Sequence, residues 1–166
     1  MATPADIKIA PASVTYKTVD LGNTKGGVTV SVDTDYTDVT TDQFGSSMLD
    51  KRALGEHVTV TVPLVEYTQA NIGTALPLST DVSGSRKNLG SLPGTSMLGL
   101  SGRLVIRPVG TSGAEDIIVH KAVVEDVADI SISPEEERIT EVTFRGFIDT
   151  TRTAGDYLVQ FGDSTA

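Results

Sequence analysis

The chain has 166 residues, no cysteine, and 22 acidic against 13 basic side chains, giving a formal charge of −9 and an isoelectric point near 4.5. That length makes a single self-sufficient domain, which needs neither a disulfide nor a structural metal to stay folded. The charge argues against a protein that holds nucleic acid by neutralising phosphates, and the missing cysteines exclude a thiol nucleophile, a redox pair and a disulfide framework.

In chain order, the start Met1-Ala2-Thr3-Pro4-Ala5-Asp6 lacks a basic region and an apolar run, so no export signal is expected. No apolar stretch reaches the length of a membrane span. The first strand is expected at Val14 to Val19, and Asn23-Thr24-Lys25-Gly26-Gly27 reads as a turn because glycine tolerates positive φ. Val28-Thr29-Val30-Ser31-Val32-Asp33 then alternates apolar and polar without error, and a further strand is expected at Tyr36 to Thr41.

Gly45 to Gly55 follows as a long irregular loop carrying Met48, Leu49, Asp50, Lys51, Arg52 and Leu54. Val58-Thr59-Val60-Thr61-Val62 restores the period of two. Thr68 is placed to cap a short helix through Leu76, with Ile72, Ala75 and Leu76 on one face, Gly73 weakening it and Pro77 closing it. A second long loop runs from Pro77 to Gly102 and holds the basic pair Arg86-Lys87. Long loops without structure of their own are uncommon in compact domains unless they serve a function. The apolar residues in both loops suit burial against a neighbouring copy.

Strands are expected again at Arg103 to Val109 and Ile117 to Val124, with Gly110-Thr111-Ser112-Gly113 as the hairpin tip between them. Ser133-Pro134-Glu135-Glu136 has the caps of one helical turn, and Glu135-Glu136-Glu137 reads as its solvated start. Thr140-Glu141-Val142-Thr143-Phe144-Arg145 alternates once more, and Tyr157 to Phe161 is the last strand. The fold class is therefore mainly β: a sandwich or barrel of about eight strands with one short helix and two long loops.

Chemistry-bearing motifs are scarce. Asp33-Thr34-Asp35-Tyr36-Thr37-Asp38 resembles the start of a calcium loop, but the sixth position is Asp38 where glycine is required, and the twelfth is Phe44 where glutamate is required. His57 and His120 are the only histidines and sit in or beside strands, where surface or satisfied core roles are the ordinary outcome. No nucleophile elbow, phosphate-cradling loop or zinc-protease helix appears, so no catalytic residue, metal or cofactor is expected and the chain does not read as an enzyme.

The segment Asp20-Leu21-Gly22-Asn23-Thr24-Lys25-Gly26-Gly27-Val28-Thr29-Val30 resembles the tail tube (major tail) proteins of long-tailed, non-contractile phages. The likeness continues in order. It runs through the acidic strand Asp33 to Asp42, the loop with Asp50-Lys51-Arg52, Gly55-Glu56-His57-Val58-Thr59-Val60-Thr61-Val62-Pro63-Leu64, and a short helix near Asn71 to Leu76. It covers the first half of the chain by motif and the rest by architecture only.

The resemblance implies a structural subunit that forms homo-hexameric rings stacked into a tube, whose lumen conducts DNA during ejection without binding it specifically. It implies a single tail-tube-like domain over residues 1–166, with Met1–Ser13 as an N-terminal arm, Gly45–Gly55 as an inter-ring loop, and Asp156–Ala166 as a strand or C-terminal arm. Thr29, Ser31, Asp33, Thr59, Thr61, Glu141 and Thr143 are expected to line the lumen while their valine neighbours face the core. Arg145 is the basic exception on that face and is expected to pair with an acid. Met48, Leu49, Asp50, Lys51, Arg52, Leu54, Arg86 and Lys87 are expected at contacts between subunits or rings. Further expected partners are tape-measure and tail-terminator proteins, with no membrane, and the expected location is the virion after assembly in the host cytoplasm.

Two other readings fit the same composition. One is another self-assembling ring or decoration protein of a phage or injection device. The other is a carbohydrate- or protein-binding β-sandwich, disfavoured because aromatics are 5% of the chain and tryptophan is absent.

Overall fold

The computed structural model of the chain describes residues 10–66, 68–83, 86–90, 93–127 and 138–162. An eight-stranded antiparallel sheet dominates it, in the spatial order β2-β1-β7-β8-β9-β4-β3, with β10 paired to β8. The strands are β1 (Ala12–Tyr16), β2 (Val19–Asp20), β3 (Thr29–Thr40), β4 (Met48–Leu64), β7 (Gly102–Pro108), β8 (Ile117–Val127), β9 (Thr140–Phe147) and β10 (Val159–Phe161). One helix, α1 (Gln69–Ala75), follows β4, and a two-stranded ribbon of β5 (Thr80–Ser83) and β6 (Arg86–Asn88) follows the helix.

Alternation dictates which side is buried. On β4, Val58, Val60 and Val62 point into the core, and Val142 and Phe144 of β9 join them with Val14 and Tyr16 of β1. The Tyr16 and Phe144 rings lie 5.1 Å apart. The single O–H of Tyr16 lies within reach of two carbonyls, Ala122 at 3.1 Å and Leu100 at 3.3 Å, and burial pushes its pKa up to about 12. A strap spans the gap between the sheet's two ends: Leu21 N–H donates to the Val14 carbonyl, and Val65 N–H to that of Asn23. The sheet nevertheless stays open, with β2 at one end of the strand order and β3 at the other.

The chain departs from the sequence expectation in four places, all before Gly102. The strands expected separately at Val28–Asp33 and Tyr36–Thr41 are one 12-residue strand, β3. Gly45–Gly55 is not an irregular loop: residues 48–55 belong to the 17-residue β4, and only the short 3-10 turn Asp42–Phe44 and its flanks connect the two strands. Two bulges explain why period-two reading missed this. The register steps from Asp35 opposite Gly55 to Tyr36 opposite Ala53, and from Val39 opposite Asp50 to Thr40 opposite Met48, leaving Leu54 and Leu49 as extra residues. An extra residue resets the alternation, so the strand looks aperiodic in sequence.

In the first strand, Lys17 and Thr18 take positive φ (52° and 82°) and fold the expected Val14–Val19 strand into a hairpin, β1–β2. Pro77–Gly102, the fourth case, contains the β5–β6 ribbon and a 3-10 turn at Leu98–Leu100. Other expectations hold. Thr68 caps α1 by accepting from Asn71 N–H at 3.2 Å, and residues 109–116 connect the antiparallel pair β7–β8. The Ser133–Glu137 turn lies outside the described residues.

Candidate functional site

Two surfaces are assembled from residues that the sequence singled out. The first is the solvent side of the sheet at β3, β4 and β9. Thr29 stands opposite Thr61, which stands opposite Thr143; Ser31 stands opposite Thr59, and Asp33 opposite His57. Glu141 stands opposite Pro63, two residues on from Thr61 along the same face. Directly opposed residues in an antiparallel pair share a face, so all seven predicted residues lie together, across three strands. Thr29, Ser31, Asp33 and Glu141 are exposed, whereas Thr59, Thr61 and Thr143 are half-buried.

The valine expectation holds in part. Val58, Val60, Val62 and Val142 are buried beneath this face, but Val30 is only half-buried and Val32 is 45% exposed. β3 is the terminal strand of the path and projects beyond the core, so its inner face has less to pack against.

Hydroxyls and acids set the electrostatics of the outer face. Arg145 sits opposite Thr59 and reaches Glu125 at 3.7 Å, the acid pairing expected of it. Asp126 stands opposite Thr143 and adds a carboxylate. Sequence reading did not find the pair of His57 Nε2 with Asp35 at 2.9 Å, because the partner lies across the hairpin, 22 positions away. Strand geometry also disposes of a calcium loop in this segment: Asp33 and Asp35 share one face and Asp38 takes the other. No group of three or more metal-binding side chains occurs among the described residues.

The second surface is the outer half of the β3–β4 hairpin. Met48, Leu49, Asp50, Lys51, Arg52 and Leu54 all fall on it and all are exposed, Leu54 by 70%. Both bulges therefore push an extra leucine toward water. Lys51 lies over the Tyr36 ring at 5.2 Å and faces Asp38 across the strands, while Arg52 approaches Asp50 at 3.5 Å. Arg86 and Lys87 are not part of this arm. They occupy β6, beside α1.

A third cluster ties the 148–158 connection to the sheet, and no spacing of its residues signals it in advance. Asp149 takes a 2.9 Å contact from Lys121 and a hydrogen bond from the Thr151 hydroxyl, which together pull its carboxyl down to about pKa 2. Asp156 accepts from His120 Nε2 at 2.9 Å and pairs with Arg152, and both hold its carboxyl below the usual range. His120 is buried, and its Nδ1 has no hydrogen-bond partner among the described residues. These groups pair with one another instead of opening on a cleft, so they read as a latch on the loop. No helix among the described residues is long and apolar enough to cross a membrane.

No protein-family model matches the sequence, and no curated protein matches it. Among solved structures, the fold is similar to that of a chain in the structure described as "Virion of native gene transfer agent (GTA) particle". The TM-score is 0.50 at 10% sequence identity, over 82% of this chain and 90% of that one. At that identity the likeness establishes a shared mainly β fold.

Proposed function

We propose that this chain is a non-catalytic structural subunit of a phage-like virion, and specifically the repeating unit of a tail tube. Six copies close into a ring, rings stack, and DNA leaves through the lumen. The observation that carries this reading is the hydroxyl-rich face, which runs across β9, β4 and β3 with few charges on it and ends at a 12-residue strand with no further strand beside it among the described residues. A long exposed edge is a pairing hazard for a monomer, and ring closure removes it by giving each edge a neighbour. Similarity of fold to a chain of a gene transfer agent virion supports the coarser reading, a virion protein.

Electrostatics favour the outer face as the lining. DNA carries about one charge per 1.7 Å of axis, so an arginine-rich wall would hold it at many points. A wall of Thr and Ser with Asp33, Glu141 and a neutralised Arg145 offers no such anchor, and DNA slides past. In this reading the hairpin arm contacts an adjacent ring, tape-measure and terminator proteins meet the tube's inside and end, and the subunits assemble in the host cytoplasm.

Imaging of purified protein across a concentration series tests the reading. Tubes or rings with Asp33 and Glu141 on the inner wall are expected. A strictly monomeric particle at high concentration, or those two residues on the outer wall, rules it out. Isolated rings or knobs on capsids would return the protein to the coarser class of assembly and decoration proteins.

A further inference from the structure

Beside the β1–β2 turn lies a cleft of about 270 Å³, formed by that turn, α1 and β6. In a chain of formal charge −9, its lining contains two lysines, Lys17 and Lys87, the hydroxyls of Thr74 and Ser79, and no carboxylate. Both lysines are held in place. Lys17 donates to the Leu100 carbonyl and lies over the Tyr16 ring at 5.2 Å, and its stem crosses Gly102, where a Cβ would stand 2.2 Å from Lys17 Cγ. Lys87 Nζ lies against α1 at Gly73, where a Cβ would stand 2.7 Å away, and it has a partner within the chain.

An ammonium carries three donors, so an anchored lysine still presents charge and N–H groups to the cleft. The backbone that sets Lys17 here is strained: Thr18 is β-branched and sits at φ 82°. Such strain persists where the surrounding structure holds it.

The cleft and an exposed acid stand at opposite ends of one long strand, β4. It is built on the helix that follows the last residue of β4, whereas the hairpin turn with exposed Asp42 precedes the first. About 55 Å of strand separates the two, at the usual rise per residue. A basic cleft at one end and an acidic turn at the other make a head-to-tail pair, which propagates along an axis when the rotation between copies does not close it into a ring. We propose that this cleft is an oxyanion site that takes the Asp42 carboxylate of a second copy, and that this contact offsets the self-repulsion of an acidic chain along the stack. The inference rests on the tail-tube reading and names the partner surface within it.

The test is the critical concentration for assembly of the full chain, read by light scattering and sedimentation at several salt concentrations. The double variant Lys17→Gln/Lys87→Gln and the single variant Asp42→Asn should each raise it by about tenfold and flatten its salt dependence, and Asp42→Asn, which breaks none of the cleft's own contacts, should do so with monomer melting unchanged. Lys87→Asp combined with Asp42→Lys should recover part of the loss. If wild-type protein forms tubes and these variants form them at the same concentration with the same salt response, the site is wrong and the tube reading stands. If wild-type protein never associates, the tube reading fails first. Millimolar inorganic phosphate that raises the melting temperature through Lys17 and Lys87, with assembly unaltered, would overturn the second-copy assignment in favour of a free oxyanion.

Discussion

Asp116, wholly buried, is gripped by both prongs of the Arg107 guanidinium, with Nε–Oδ1 at 2.8 Å and Nη2–Oδ2 at 2.6 Å. The two ends of this fork are unequal, because the arginine side chain is 44% exposed. Removing the arginine strands a charge in the interior, whereas removing the acid leaves a cation that water can reach. Arg107→Ala should therefore lower Tm by about 5–10 °C, and Asp116→Ala by clearly less. Differential scanning calorimetry of the two variants checks the order, and a larger loss from Asp116→Ala would contradict the argument.

The latch on the 148–158 connection has a pH signature. Asp149, drawn down first by Lys121, and Asp156, drawn down first by His120, have folded pKa values below their unfolded ones. In that window the unfolded chain binds more protons, so stability rises with pH. Their contribution is fully present above the ordinary carboxylate range near pH 4 and is lost as pH falls through the folded values, toward about 2 for Asp149. Melting temperatures measured between pH 5 and pH 2 should fall less steeply for Asp149→Asn than for the wild type.

Gly146 is a packing glycine. A Cβ there would meet Val119 Cγ1 at 3.1 Å, Leu158 Cδ1 at 3.3 Å and Val58 Cβ at 3.4 Å. All three belong to the core, so nothing flexible can yield cheaply. Gly146→Ala should cost about 1–3 kcal/mol in urea unfolding with an unchanged m-value.

Thr18 offers the opposite experiment. Two-residue hairpin turns with positive φ at both centres favour Asn-Gly, and this chain uses Lys17-Thr18. Thr18→Gly should stabilise the monomer by about 1 kcal/mol, because relief of strain outweighs the added freedom of the unfolded chain. Chemical denaturation gives the sign directly.

How much of this was readable in advance follows from where alternation survives. Val28–Asp33, Val58–Val62 and Thr140–Arg145 kept an unbroken period of two, and their shared face was legible down to single residues. The outer hairpin was not, since Leu49 and Leu54 each shift the phase and leave a strand that imitates a loop. The Lys17-Thr18 turn hid because neither residue announces positive φ. Charged pairs such as His120 with Asp156 hid because 36 positions separate them.

The two bulge leucines test the arm separately from the core. Leu49 and Leu54 are exposed, so Leu49→Ser/Leu54→Ser should leave the monomer's unfolding curve within about 0.5 kcal/mol of wild type. The same variant should weaken association, as sedimentation velocity will show. A variant that unfolds earlier would place these leucines inside the domain's own packing.

The hairpin arm leaves from one end of the sheet and the helix caps the other. In the proposed stack, a column of such units would be a vector: every member would point the same way, and its two tips would expose different chemistry. Growth and arrest then become separate problems, because a plug shaped for the armed tip has no purchase on the bare one.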